Sequence, residues 1–134
     1  MSRVAGDGPE RGGGVGAEGR VIEKAGGDLV CRFAGDIAVV RLKGRLDLEL
    51  AQTFLQLLAE LPEKPGKIVL SCREIEVLSS AGVSLLLQLS SEHRLRLVGP
   101  REEILGTLET IGIRSLLSIH ESEEAAVHAF VAEA

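Results

Sequence analysis

The segment 68–87, IVLSCREIEVLSSAGVSLLL, decides the fold of this chain. It opens with a near-continuous apolar run that is typical of a strand covered on both faces. Polar residues follow and predict a short connection. Ser79 and Ser80 then precede apolar residues at helical spacing, so a helix is predicted to begin near Ser80. The residues of this helix predicted to face the sheet are Val83, Leu86, Leu87 and Ser90.

The residues upstream of this segment predict a hairpin and a first helix. The short β-rich runs LVCRF and IAVVRL flank Ala34, Gly35 and Asp36, which is a hairpin pattern. Asp47 is a suitable N-cap for the helix that follows. Its apolar stripe consists of Leu50, Phe54, Leu57, Leu58 and Leu61.

The residues downstream predict two further strands and two further helices. LRLVG is typical of a strand, and Pro100 suits the first position of a helix that ends at Gly112. The stripe predicted to be buried in that helix is Ile104, Leu105, Leu108 and Ile111. A short strand over residues 116–119 precedes a last helix, capped by Ser122 and anchored by Val127 and Phe130. The order ββαβαβαβα predicts an α/β fold, a small mostly parallel sheet with about four helices packed on it.

The 134 residues divide into a tail and one domain. Residues 1–27 contain nine of the sixteen glycines and almost no bulky apolar side chains, which predicts a disordered N-terminal tail. Residues 28–134 form the predicted domain. The tail contains a GxGxxG pattern at Gly14, Gly16 and Gly19, but no strand precedes it and no helix follows, so a nucleotide site is not expected.

Charge and composition exclude several kinds of partner. A net charge of minus 5 and the absence of Trp and Tyr argue against binding of nucleic acid. The sequence shows no signal peptide and no apolar run long enough for a membrane span, so we expect a soluble, cytoplasmic protein without membrane insertion. Cys31 and Cys72 lie in predicted strands without CxxC spacing, which indicates buried free thiols.

No catalytic or metal site emerges from the sequence. The serine pair lacks a GxSxG motif, and no pattern pairs a histidine with either serine as a general base. The histidines and cysteines lack metal-ligand spacing, so no metal, no cofactor and no enzymatic activity are expected. Two interpretations of Ser79 and Ser80 remain open. They either cap the helix, which is worth about 1 kcal/mol, or one of them is a chemical handle at its start.

Residues 28–130 resemble the STAS domain of anti-sigma factor antagonists. Ser79-Ser80-Ala81-Gly82 is similar to the family's motif Asp-Ser-Ser-Gly in its variant Ser-Ser-Ala-Gly. Ser79 stands in place of the commoner Asp, and Ser71 stands where the preceding strand often ends in Asp or Asn. Further positions that match the family pattern are Gly44, Leu46, Asp47, Leu108, Gly112, Ile113, Ser122 and Ala126.

The resemblance implies a STAS fold and a phosphorylation switch. Counted back from Gly82, the phosphorylated residue is Ser80, and Ser79, Ser80, Ala81, Gly82 and Asp47 are the residues implied for partner binding. The implied partner is an anti-sigma factor that is also a serine/threonine kinase, which the unphosphorylated protein sequesters. A phosphatase of the PP2C type is implied as well. Two alternatives stay open: an accessory STAS subunit of an ABC-type lipid transporter, and a ligand-sensing STAS module.

Overall fold

The structure is a computed structural model that describes residues 21–133. Its strands are β1 (Val21–Lys24), β2 (Leu29–Ala34), β3 (Ile37–Leu46), β4 (Lys67–Leu78), β5 (Arg94–Val98) and β6 (Ser118–His120). Its α-helices are α1 (Leu48–Glu60), α2 (Ser80–Glu92), α3 (Glu102–Ile111) and α4 (Glu123–Glu133). Within residues 21–133, no helix is both long enough and apolar enough to cross a membrane.

The described strands form one mixed sheet in which neighbours in sequence are neighbours in space. β1, β2 and β3 are antiparallel, and β3, β4, β5 and β6 are parallel, in the order β1-β2-β3-β4-β5-β6. Gly35 adopts a positive φ in the turn of the predicted hairpin between β2 and β3. The α/β class, the mostly parallel sheet and the four helices are therefore confirmed, with one strand added at the start.

That added strand corrects the predicted extent of the disordered tail. Residues 21–24 form β1, which pairs with β2 from Val21 opposite Arg32 to Lys24 opposite Leu29. Ile22 is partly buried and packs against the main core, so this short segment gains both backbone hydrogen bonds and apolar contacts. Residues 1–20, with the three glycines of the GxGxxG pattern, lie outside the described residues.

The sheet separates two apolar clusters because side chains alternate along each strand. On one face, Ala38, Val40 and Leu42 of β3 belong to the main core together with residues of α1, α2 and α3. On the other face, Ile37 and Val39 belong to a smaller cluster with α4. Three helices thus cover one face and α4 covers the other, which makes a three-layered domain.

β4 is longer than predicted. The polar stretch expected to be a connection continues the strand to Leu78, and it pairs with the end of β3 up to Leu46 opposite Leu78. Ile75 is 1% exposed, whereas its neighbours Glu74 and Glu76 are exposed. This alternation is that of a strand covered on one face, and β-bulges shift the register along this stretch.

Ion pairs hold both ends of α4 against the sheet. At its start, Glu123 accepts hydrogen bonds from Arg41 at 2.7 and 3.1 Å and from Arg32 at 2.9 Å. The hydrogen bond with Arg41 is the main reason why the pKa of Glu123 is lowered, while partial burial acts in the opposite direction. At its end, Glu133 pairs with two arginines of β5, Arg94 and Arg96.

Three helix details differ from the sequence prediction. α3 begins at Glu102 instead of Pro100, since Arg101 is the N-cap residue. Ile111 was predicted to belong to the buried stripe of α3 but is 48% exposed, although Ile104 and Leu108 are buried as expected. In α2 the predicted buried face is wrong by one residue. The side of α2 that is buried consists of Gly82, Leu85, Leu86 and Leu89.

Both cysteines are buried and neither forms a disulfide bond, as predicted. Burial raises the pKa of Cys72 to about 12, because an apolar surrounding disfavours the thiolate. This thiol is therefore protonated at neutral pH and a poor nucleophile.

The corrected face of α2 generates a prediction about two adjacent leucines. Leu86 is 2% exposed and Leu87 is 39% exposed. Leu86→Ala should lower the free energy of unfolding by about 2 to 5 kcal/mol, since it leaves a cavity in the core. Leu87→Ala should change it by less than about 1 kcal/mol. Urea unfolding followed by circular dichroism measures both, and equal losses would contradict this orientation of α2.

Candidate functional site

Two helices begin side by side where β3 and β4 end. Leu46 and Leu78, the last residues of these parallel strands, pair with each other. Asp47 then caps α1, its carboxylate accepting a hydrogen bond from the backbone N–H of Leu50 at 3.1 Å. Ser79 caps α2 in the same way. The structure thus brings Asp47 and the segment 79–82, which are far apart in sequence, to the same edge of the sheet.

The hydroxyl of Ser79 makes two hydrogen bonds inside the protein. Its oxygen accepts a hydrogen bond from the backbone N–H of Gly82 at 3.2 Å, and its hydrogen is donated to the carbonyl of Leu46 at 3.0 Å. The backbone N–H of Ser79 also donates to this carbonyl, at 3.1 Å. Of the two serines, Ser79 is therefore the helix cap, and the same side chain ties the start of α2 to the end of β3.

Gly82 is required by a close contact within the protein. A Cβ atom at this position would lie 2.5 Å from the carbonyl oxygen of Leu46 and 2.7 Å from the Cδ1 atom of Leu78. The absent side chain does not leave room for another chain beside Ser80, because the space is filled by Leu46 and Leu78, and Gly82 is buried.

Ser80 is in a different environment from its neighbour. It is the first residue of α2 and is exposed, whereas Ser79 and Ala81 are half-buried. The first turn of a helix contains N–H groups without partners inside the helix. In α2, the N–H group of Gly82 donates a hydrogen bond to the Ser79 hydroxyl. From Ser80 to Ser91, α2 has no charged residue, so its first turn bears no side-chain charge.

Two exposed apolar side chains that were not predicted from the sequence lie on the segments that meet at this edge. Leu48, the first residue of α1, is 59% exposed, and Val77, near the end of β4, is 39% exposed. Leu48 precedes the apolar stripe of α1, which begins at Leu50. This position outside the stripe could have indicated that Leu48 is exposed.

The three histidines lie outside the first turn of α2. His93 follows the last residue of α2, at the opposite end of this helix from Ser80, and its Nδ1 atom is 2.7 Å from the carbonyl oxygen of Pro65. The Nε2 atom of His120 contacts Arg96 at 2.9 Å, and His128 is exposed on α4. The arrangement at the start of α2 is therefore that of a capped helix with an accessible hydroxyl.

Comparison with family models identifies the class of protein. The STAS domain model matches residues 28–126. The chain belongs to the STAS domain family, as the resemblance of its motifs predicted. A comparison with curated protein sequences gave no significant match.

Solved structures with the same fold include two kinds of protein. The anti-sigma factor antagonist SpoIIAA in its unphosphorylated form aligns with a TM-score of 0.67 and 18% identity, over 78% of this chain and 96% of SpoIIAA. The STAS domain of a SulP transporter from Vibrio cholerae aligns with a TM-score of 0.62 and 19% identity, over 75% of this chain and 85% of that domain. At these identities the similarity establishes the fold alone.

The different environments of the two serines predict different effects on stability. Ser79→Ala should lower the free energy of unfolding by roughly 1 to 2 kcal/mol, because both the cap of α2 and its bond to Leu46 are lost. Ser80→Ala is the matched control and should change it by less than about 0.5 kcal/mol. Chemical denaturation of both variants measures the difference. A larger loss for Ser80→Ala would show that the roles of the serines are reversed.

The close contact at Gly82 predicts whether replacing this glycine by alanine stabilises or destabilises the protein. Replacing a helical Gly by Ala ordinarily stabilises a protein by about 1 kcal/mol. Gly82→Ala should instead destabilise it, because the new methyl group overlaps the carbonyl of Leu46. Gly106 in α3 has nothing within 4 Å of the corresponding position, so Gly106→Ala should be stabilising. Thermal unfolding compares the two variants, and a gain at Gly82 would refute the close contact.

Proposed function

We propose that this protein is an anti-sigma factor antagonist whose Ser80 is phosphorylated by its partner. The partner is an anti-sigma factor that is also a serine/threonine kinase. The unphosphorylated protein sequesters this factor in the cytoplasm and thereby frees a sigma factor. The observation that carries the proposal is the difference between two adjacent hydroxyls. Ser79 both donates and accepts a hydrogen bond inside the protein, whereas Ser80 is exposed at the start of α2.

The position of Ser80 is compatible with a phosphate group. A phosphoserine carries a charge of about minus 1.5 to minus 2 at neutral pH. Such a charge is favourable near the positive end of the helix dipole, and unpaired backbone N–H groups at a helix start bind phosphate oxygens. Because Ser80 makes no contact on which the cap depends, the fold should persist after phosphorylation. The modification then acts on the partner.

The surroundings of Ser80 explain how phosphorylation would release that partner. The first turn of α2 bears no charged side chain, and the exposed Leu48 and Val77 provide apolar surface on the neighbouring segments. The carboxylate of Asp47, also at this edge, is engaged in capping α1, and a docking surface of this kind suits a partner surface of low charge. A new dianion in its middle would have to lose its hydration on binding without gaining a counter-charge, which costs several kcal/mol.

The proposal assigns the chemistry to other proteins. The kinase transfers the phosphoryl group to the Ser80 hydroxyl, and a phosphatase of the PP2C type removes it. This protein contributes an accessible hydroxyl, and the residues proposed to contact the partner are Asp47, Ser79, Ser80 and Ala81 together with Leu48. Gly82 supports this surface from beneath, because it allows α2 to approach Leu46.

Phosphopeptide mapping tests the proposal. The purified protein is incubated with ATP and with each kinase-type anti-sigma factor of the source organism, and the phosphorylated residue is located by mass spectrometry. We expect phosphate on Ser80 in the native protein and in Ser79→Ala. Ser80→Ala should accept no phosphate yet still bind the kinase, and Ser80→Asp should bind it more weakly because it adds part of the charge.

Two results would contradict the proposal. Phosphate on Ser79 would show that the inward hydroxyl is the substrate. Absence of phosphate from both serines, with every kinase-type anti-sigma factor tested, would favour a constitutive assembly role such as that of a transporter subunit. The Ser79→Ala variant separates loss of the cap from loss of the substrate hydroxyl.

A further inference from the structure

A cavity of about 830 Å³ opens at the carboxyl ends of β5 and β6. It is separate from the start of α2, and neither the switch nor the docking surface described above uses it. Its lining includes Arg73, Pro100, Leu105, Ile119, His120 and Ser122. A volume of this size is in the range of sites that hold small molecules.

The topology of the sheet explains why a cavity forms there. After β5 the chain turns into α3, which packs on the face covered by the main core. After β6 it turns into α4, which packs on the opposite face. Two neighbouring parallel strands whose following helices lie on opposite faces leave a crevice outside their carboxyl ends. In open α/β sheets, ligands bind in crevices outside the carboxyl ends of the strands.

Arg73 places a positive charge in this cavity. It donates a hydrogen bond to the backbone carbonyl of Glu121, and its side chain lies over Gly99. A Cβ atom on Gly99 would be 2.7 Å from the Cγ atom of Arg73, so glycine makes room for the arginine. Within the described residues Arg73 forms no ion pair, although a guanidinium group offers five N–H donors.

The other lining groups define the kind of ligand that fits. Leu105, Ile119 and Ala125 provide apolar walls. Ser122 accepts a hydrogen bond from the N–H of Ala125 at 3.0 Å, so its hydroxyl hydrogen is available to a further acceptor. Glu121 also lines the cavity and is exposed like Arg73, but within the described residues the two side chains form no ion pair. One cation, one hydroxyl donor and apolar walls suit an anion with an apolar body.

We propose that this cavity binds a small organic carboxylate, with its carboxylate paired to Arg73 and its apolar part against Leu105 and Ile119. A planar guanidinium binds a carboxylate through two parallel hydrogen bonds. The apolar walls favour a ligand with a short hydrocarbon body over an inorganic anion, which would leave them in contact with water. This site would make the protein responsive to a metabolite, and it does not depend on the phosphorylation of Ser80.

Titration followed by amide chemical shifts in two-dimensional NMR tests the site. The probes are sodium hexanoate, the uncharged hexanamide and inorganic phosphate. With hexanoate, the amides of Gly99, Ile119 and Ala125 should shift in a saturable manner. Arg73→Gln should weaken this binding by about tenfold or more, since it removes hydrogen bonds from a charged donor. Arg114→Gln removes the same charge at the start of the short turn before β6 and should leave hexanoate binding unchanged.

A second variant leaves Arg73 in place. Ala125→Phe fills the cavity and should abolish hexanoate binding, while amides remote from the cavity verify that both variants are folded. Absence of saturable shifts at these three amides would overturn the proposal. So would equal affinity of Arg73→Gln and the native protein, unchanged binding by Ala125→Phe, or saturation by phosphate or hexanamide as tight as by hexanoate.

Discussion

The carbonyl oxygen of Leu46 is the contact on which the geometry at the start of α2 depends. It accepts two hydrogen bonds from Ser79, one from the hydroxyl and one from the backbone N–H. It also lies where a side chain at position 82 would be, so only glycine allows α2 to come this close. These contacts fix the start of α2 against the end of β3, and the rotation of the helix about its axis follows from them.

This rotation places two adjacent serines in different environments. With Gly82 against Leu46, the residues that follow it toward the core are Leu85, Leu86 and Leu89, and Ser80 lies outside. Ser79 contributes to the free energy of folding, and Ser80 is left as surface. A residue whose side chain makes no internal contact can change its charge without changing the fold. This is the property that a phosphorylation switch requires.

The sequence predicted those features that depend on local chemistry. The caps Asp47 and Ser79, the end of α3 at Gly112 and the hairpin around Gly35 follow from short-range preferences, and the structure contains all of them. Features that depend on tertiary contacts could not be predicted in this way. Three consecutive leucines fit two helix faces equally well, and only the contact of Gly82 selects one. Residues 73–78 form a strand because β3 continues beside them as far as Leu46.

The central claim is that modification of Ser80 alters the surface charge and leaves the fold unchanged. It is tested most directly by hydrogen exchange on protein that carries phosphoserine at position 80, compared with the unmodified protein. The account predicts that the amide of Gly82 keeps its protection and that the free energy of unfolding changes by no more than about 1 kcal/mol. Loss of protection at Gly82, or destabilisation by several kcal/mol, would contradict it.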